Sequence, residues 1–196
     1  MFTGIIKKIG EVNKVFNKKG GLFIVINIPK GWKIWEGESI SINGVCSTIK
    51  KLDKKFFTVE YMPETINKTT VGGFKKGMLV NLEKSLKMSD LLDGHLVMGH
   101  VDCVGKIFKI HKVKNSKVLK IEMPQKFMKF IAEKGSITID GISLTVVDAG
   151  KDWFSVSLVS YTLKNTNLGI IRIGDRVNIE IDIIAKYLDK LLKHKS

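Results

Sequence analysis

Arginine is almost missing from this chain of 196 residues: Arg172 and Arg176 are the only two among 33 basic side chains. The formal net charge of +14 would otherwise invite a nucleic-acid partner. Base readout and phosphate forks favour the planar donors of arginine, and here the lysines come singly and in pairs. Aromatic residues amount to 8% and are not grouped as base stacking on exposed strands would need. The charge therefore reads as a solvated basic surface, with no nucleic-acid partner. Cysteine is equally scarce. Cys46 and Cys103 are too few for a disulfide framework or a cysteine-based metal site, so a reduced, cytoplasmic protein is expected. No run of about 18 apolar residues occurs, which excludes a membrane-spanning helix, and "MFTGIIKKIGEV" lacks the layout of a signal peptide. GxxxxGK[ST] and GxGxxG are both absent, which disfavours nucleotide-hydrolysing and Rossmann enzymes. What is present is enough apolar material, 44%, for a packed core.

The chain repeats itself. A shift of 97 positions superimposes Ser39 to Glu83 on Ser136 to Glu180 without a gap. Gly44 falls on Gly141, Thr48 on Thr145, Phe57 on Phe154, Thr65 on Thr162 and Val80-Asn81 on Val177-Asn178. A shift of 95 places Gly4 and Gly10 on Gly99 and Gly105. The period is too long for a solenoid, so this is a duplicated domain.

Each copy reads as short strands separated by turn signals, the pattern of an all-β barrel or sandwich. Strands are expected over 3–15, 22–27, 39–42, 45–52, 56–61 and 79–82, and again over 97–110, 118–123, 136–139, 142–147, 154–159 and 177–181. Residues 89–94, "SDLLDG", suit a short helical connector. Residues 183–195 place Ile184, Tyr187, Leu188, Leu191 and Leu192 on one stripe, an amphipathic helix with no counterpart after the first copy. That stripe needs cover, from its own barrel or from another subunit.

Alternation along "SINGVCSTI" (41–49) and "TIDGISLTV" (138–146) puts Val45, Ile49, Ile142, Leu144 and Val146 towards the core. Cys46 with Thr48, and Ser143 with Thr145, then lie on the opposite face. Small polar groups beside a backbone edge leave room for a flat ligand. "GHLVMGHVDCVG" (94–105) gathers His95, His100, Asp102 and Cys103. If it is a strand, positions five apart face opposite sides, and no zinc-type spacing is present, so no metal is expected. Gly99 beside His100 would let a ligand come close.

"MFTGII", "NGVCSTI", "GHLVMGHVD", "KGSITIDGISLTV", "NTNLG" and "GDRVNIEID", in this order over almost the whole chain, together resemble the riboflavin synthase family, the duplicated lumazine-binding barrel kind called the alpha chain. The resemblance implies an all-β fold of two tandem homologous six-stranded Greek-key β-barrels plus a C-terminal α-helix. It divides the chain into an N-terminal lumazine-binding barrel with connector (1–93), a C-terminal barrel (94–182) and an oligomerisation helix (183–196). It implies a homotrimer held by those helices, with each active site between the N-barrel of one subunit and the C-barrel of its neighbour. The implied reaction converts two molecules of 6,7-dimethyl-8-ribityllumazine into riboflavin and 5-amino-6-ribitylamino-uracil by four-carbon transfer, with no metal or redox cofactor.

By the same resemblance, the N-barrel pocket uses Gly4, Ile5 and Ile6, then Cys46, Ser47 and Thr48, and then Glu60, Tyr61, Met62, Pro63, Glu64 and Thr65. The C-barrel pocket uses Gly99, His100 and Val101, then Lys134, then Ser143, Leu144 and Thr145. It is completed by Ser157, Leu158, Val159, Ser160, Tyr161 and Thr162. Ser39, Cys46, His100, Ser143 and Asp182 match the family's chemical groups, and Phe2 and Thr3 lie at the site mouth. The C7 methyl of the lumazine is acidic because its carbanion delocalises into the ring, so the protein mainly positions two rings and moves protons. Cys46 or a water adds to the acceptor ring. Ser47, where a core leucine is usual, and "VSYT" (159–162) depart from the family pattern. Two rivals are a non-catalytic lumazine-binding protein of the same fold and a basic RNA-binding barrel.

Overall fold

The computed structural model describes residues 1–18 and 20–193. Two closed antiparallel barrels of six strands account for most of them. The first contains β1 (Lys8–Lys18), β2 (Gly21–Asn27), β3 (Ser39–Ile42), β4 (Val45–Leu52), β5 (Phe56–Tyr61) and β6 (Leu79–Lys84) in the order β1-β2-β5-β4-β3-β6. The second repeats it with β7 (Cys103–Val113), β8 (Ser116–Glu122), β9 (Ser136–Ile139), β10 (Ile142–Ala149), β11 (Trp153–Leu158) and β12 (Arg176–Ile181). Helix α1 (Pro63–Lys68) follows β5, α2 (Ser160–Asn165) follows β11, and α3 (Ile183–Lys193) ends the described chain. No helix among the described residues is long and apolar enough to cross a membrane.

Period-two patterning builds both cores. Val12, Ile24, Ile26, Ile40, Ile42, Ile49, Phe57, Val59, Val80 and Leu82 fill the first barrel. Ile107, Leu119, Ile121, Ile137, Ile139, Phe154, Val156, Val177 and Ile179 fill the second. Closing so small a barrel needs local bends, and each copy has them at matching places. Register shifts interrupt β1 between Val12 and Lys14 and β7 between Ile107 and Lys109. They recur in β4 between Ile49 and Lys51 and in β10 between Val146 and Asp148. The β3–β4 and β9–β10 hairpins turn on Asn43-Gly44 and Asp140-Gly141, all four at positive φ, as two-residue turns require.

Two expectations are corrected, and a third is seen in part. The first strand of each barrel starts later than expected, at Lys8 rather than residue 3 and at Cys103 rather than residue 97. The preceding residues are extended leaders joined to each other by one antiparallel bridge, Phe2 to Val97. Residues 89–94 hold turns and bends but no helix. The expected helix 183–195 is seen to Lys193; the last residues of that span, and of 183–196, lie outside the described residues.

A buried polar lock joins the barrels about a pseudo-two-fold axis. Asn81 on β6 donates from Nδ2 to the Asp140 carbonyl of the other barrel (2.9 Å), and Asn178 on β12 donates from Nδ2 to the Asn43 carbonyl (2.8 Å). Each also accepts, from Asn167 N–H and Thr70 N–H respectively, at 2.7 Å. The turn side chains close the pattern: Asn43 Oδ1 accepts from Asn81 N–H and Asp140 Oδ1 from Asn178 N–H. The symmetry is broken at Asp140, which stands where the first copy has Asn43. Burial pushes its carboxyl up to about 7, against the pull of the Asn178 and Asn167 donors and with the nearby Asp175 charge pushing the same way as burial.

Because its folded pKa lies above its unfolded value, the folded chain holds more protons than the unfolded chain between about pH 4 and 7. Stability is expected to fall across that window as pH rises, by roughly a few kcal/mol at most. Asp140→Asn, which keeps an acceptor for the Asn178 N–H, is expected to flatten the slope. Urea midpoints measured from pH 4 to 8 check this.

Candidate functional site

The two leaders are exchanged between the barrels. Gly4 leads into the first barrel, yet its carbonyl accepts from Ser143 N–H of the second at 2.8 Å. Gly99 leads into the second, yet its carbonyl accepts from Cys46 N–H of the first at 2.9 Å. Both glycines have φ near +76°, and a Cβ on either would sit within 3.0 Å of the residue it faces. Only glycine allows this approach. Ile6 then packs on the second core and Val101 on the first. Within this chain the leaders thus lie crossed relative to the grouping drawn from the resemblance: Gly4 and Ile6 lie against the second barrel, and Gly99 and Val101 against the first.

Two buried carboxylates hold the leaders. Glu83 on β6 accepts from Thr3 N–H (2.8 Å), Thr3 Oγ1 (2.7 Å) and Gly4 N–H (3.0 Å). Glu180 on β12 accepts from Met98 N–H (2.7 Å), Gly99 N–H (2.9 Å) and His100 N–H (3.1 Å). Burial raises both carboxyls above their ordinary value, while the donors pull the other way.

The residues expected around Cys46 lie on β4, the end of β5 and the start of α1. Cys46 is half-buried, Thr48 is exposed and pairs across the ladder with Ser39, and His100 is exposed. Ser47 and Tyr61 face the barrel interior, and their hydroxyls bond to each other at 2.6 Å. A serine where leucine is usual is thus satisfied rather than loose, and these two side chains belong to the core. Glu60 pairs with Lys50, and Glu64 with Lys68. Met62 is exposed beside Pro63, the first residue of α1, and the Thr65 carbonyl accepts from Thr69 Oγ1.

The residues expected around Ser143 lie on β10, the end of β11 and the start of α2. Ser143 and Leu144 are half-buried and Thr145 exposed; Ser157, Val159, Ser160 and Tyr161 are also exposed, Thr162 is half-buried and Leu158 belongs to the core. Lys134 sits at positive φ in the turn before β9, its N–H bonded to the Val146 carbonyl. Here the structure adds a residue the sequence reading set aside. His95 Nδ1 meets Ser143 Oγ at 2.7 Å, and its Nε2 meets Thr138 Oγ1 at 3.1 Å. Burial lowers its pKa, with the Asp182 carboxylate acting in the opposite sense. Asp182 also caps α3, accepting from Ile184 N–H at 2.9 Å. Residues 94–102 are not a regular strand, so alternation alone does not place His95. Glu83, Glu180 and Thr138 were missed too, although an acidic residue repeated at matching sites inside two apolar strands was a visible signal.

Phe2 is fully buried at the seam and Thr3 is held by Glu83, so both support the leader from below. A groove of about 580 Å³ between the barrels, bordered by Asn43, Phe74, Asp140, Asn167, Ile170 and Arg176, contains none of the expected site residues.

The lumazine binding domain family matches residues 3–85 and again 98–182. Riboflavin synthase of Actinobacillus pleuropneumoniae is 41% identical over 196 residues, covering 100% of this chain and 91% of that protein. The Mycobacterium bovis enzyme is 40% identical, with 98% of each chain covered, and that of Bacillus subtilis is 38% identical, covering 100% of this chain and 91% of its own. Among solved structures, LumP complexed with riboflavin superimposes with a TM-score of 0.86 at 23% identity, covering 92% of this chain and 99% of LumP, which bears on the fold. On a family match in both halves and full-length relatives near 40% identity, the chain belongs to the riboflavin synthase family.

Proposed function

We propose that each barrel binds one 6,7-dimethyl-8-ribityllumazine, at Cys46 in the first and at Ser143 in the second, and that the chain passes a four-carbon unit from one to the other. The products are riboflavin and 5-amino-6-ribitylamino-uracil. The observation that carries this reading is a matching pair of contacts, in which a half-buried Cys46 or Ser143 donates its N–H to a glycine carbonyl of the exchanged leader. LumP has been solved with 6,7-dimethyl-8-(1'-D-ribityl) lumazine, and its fold is this one. The two reactants are the same compound, so bonds and electrons balance between them and the chemistry calls for no external oxidant.

One lumazine loses a proton from its C7 methyl, and the delocalised anion attacks the partner ring. A nucleophile, Cys46 or a water, adds to that partner and is later released with the amine product. Half-buried and bonded to Ser143 and Thr138, His95 is suited to orient the Ser143 hydroxyl and move a proton; the exposed His100 serves the other pocket. His95 has its pKa held down, so it stays neutral around pH 7. A non-catalytic binder would need only one such pocket. The free cysteines are consistent with a reducing, cytoplasmic setting.

Pairing of pockets from neighbouring subunits belongs to the same proposal. Ile184, Tyr187, Leu188, Leu191 and Leu192 of α3 are each more than half exposed, an apolar stripe without cover in the single chain. The other side of α3 is tied down by Lys186 to Asp102 (2.6 Å) and Lys129 to Asp189 (2.7 Å). The stripe thus points outward from an anchored helix, as a homotrimer contact would.

Purified protein mixed with the lumazine is expected to form one riboflavin per two lumazines, followed by absorbance and unchanged by EDTA; metal-dependent turnover would contradict the reading. His95→Ala is expected to keep riboflavin binding but to lower kcat by about 10²–10⁴-fold, the range for a positioned proton carrier. Leu188→Lys with Leu191→Lys is expected to leave the barrels folded while shifting sedimentation to monomers with little activity. A fully active monomer would refute the shared site.

A further inference from the structure

We propose that Glu83 and Glu180 are crossed positioning residues: each carboxylate is anchored in one barrel and sets the ligand pocket of the other. The inference rests on the pocket assignment above and goes beyond it by naming what holds each pocket's wall. On β6 of the first barrel, Glu83 takes three donors from Thr3 and Gly4. The carbonyl of that same Gly4 accepts from Ser143 N–H in the second barrel. On β12 of the second barrel, Glu180 takes three backbone donors from Met98, Gly99 and His100. The Gly99 carbonyl then accepts from Cys46 N–H in the first.

No neutral side chain does this work. An apolar residue would leave three buried donors unpaired at each site. Glutamine has one acceptor and one donor at its tip, so its amide would face N–H groups with an N–H of its own. Both glutamates are 3% exposed or less, so water cannot replace them. Loss of the carboxylate frees the leader, and the leader is the wall of the opposite pocket. A purely structural role predicts something else, damage to the barrel in which the glutamate is rooted.

The two cysteines allow the alternatives to be separated. Cys46 is half-buried at the first pocket, whereas Cys103 is buried with its thiol pushed up to about 12, so alkylation reads Cys46. The experiment uses the full chain, iodoacetamide as reagent, riboflavin as ligand and equilibrium dialysis for the number of sites. In the unsubstituted protein riboflavin is expected to protect Cys46. Glu180→Gln is expected to speed alkylation of Cys46 without ligand and to raise the riboflavin concentration needed for protection by about tenfold or more, the worth of a charge-assisted hydrogen bond. Glu83→Gln is expected to leave Cys46 protection unchanged while the other binding event weakens by a similar factor. Should Glu83→Gln fail to fold, Thr3→Val removes one of the three bonds and carries the same expectation. Uncrossed effects, with Glu83→Gln impairing Cys46 protection and Glu180→Gln sparing it, overturn the proposal, as does equal weakening at both pockets. If riboflavin does not protect Cys46 in the unsubstituted protein, the pocket assignment itself fails and the proposal falls with it, a result distinct from uncrossed effects.

Discussion

Four hydrogen bonds across the pseudo-two-fold axis hold everything else in place. Asn81 and Asn178 each reach out of one barrel to the turn of the other, and the exchanged leaders add Gly4 to Ser143 and Gly99 to Cys46. These groups are buried, so an unmade bond costs the desolvation of a peptide group rather than a weak contact, roughly 1–3 kcal/mol each. The hairpin turns meet so closely that a Cβ on Gly44 would lie 2.6 Å from the Gly141 nitrogen. Two barrels that could each close alone are thereby fixed in one relative orientation. The pockets inherit that orientation, since one wall of each is supplied from the other side of the axis.

This arrangement also explains why so much polarity is tolerated at the seam. Asn43, Asn81, Asp140, Asn167 and Asn178 are all buried, yet none has a fully buried side-chain atom without a partner among the described residues. Such a network specifies geometry better than an apolar seam would, because its members fit in one arrangement only. Asp140 is the costly member. It retains a carboxyl where the first copy manages with an amide, and its titration couples the seam to pH.

Most of the fold was legible because it is local. The strand pairs flanking Asn43-Gly44 and Asp140-Gly141, the duplication and the α3 stripe all follow from periodicity, turn chemistry and self-similarity. The leaders were not legible. Phe2, Ile5 and Val97 extend an apolar alternation that reads as more strand, and nothing in one sequence shows that these residues leave their own barrel. The place of His95 was hidden for the same reason, because alternation assigns a face only inside a regular strand. Ser47 reads as a weak point until Tyr61 is found opposite it, a pair made by neighbouring strands rather than neighbouring residues. The hairpins that carry Ser143 and Cys46 were legible because they are local; the contacts these residues make with Gly4, His95 and Gly99 were not, because those are long-range.

The two copies match in architecture but differ where chemistry is decided. The first pocket has a thiol at Cys46 and draws His100 from the leader. The second has the Ser143 hydroxyl, draws Ile5 from its leader and has His95 behind the serine. Among the described residues no histidine is hydrogen-bonded to the Cys46 side chain as His95 is to Ser143. A dismutation of two identical molecules needs such a difference. One molecule must give up a proton while the other is attacked, and two identical pockets would stabilise the same state twice. On the proposed assignment, duplication provides matched binding, and the thiol-to-hydroxyl change together with the histidine bonded to Ser143 gives each bound molecule a separate role.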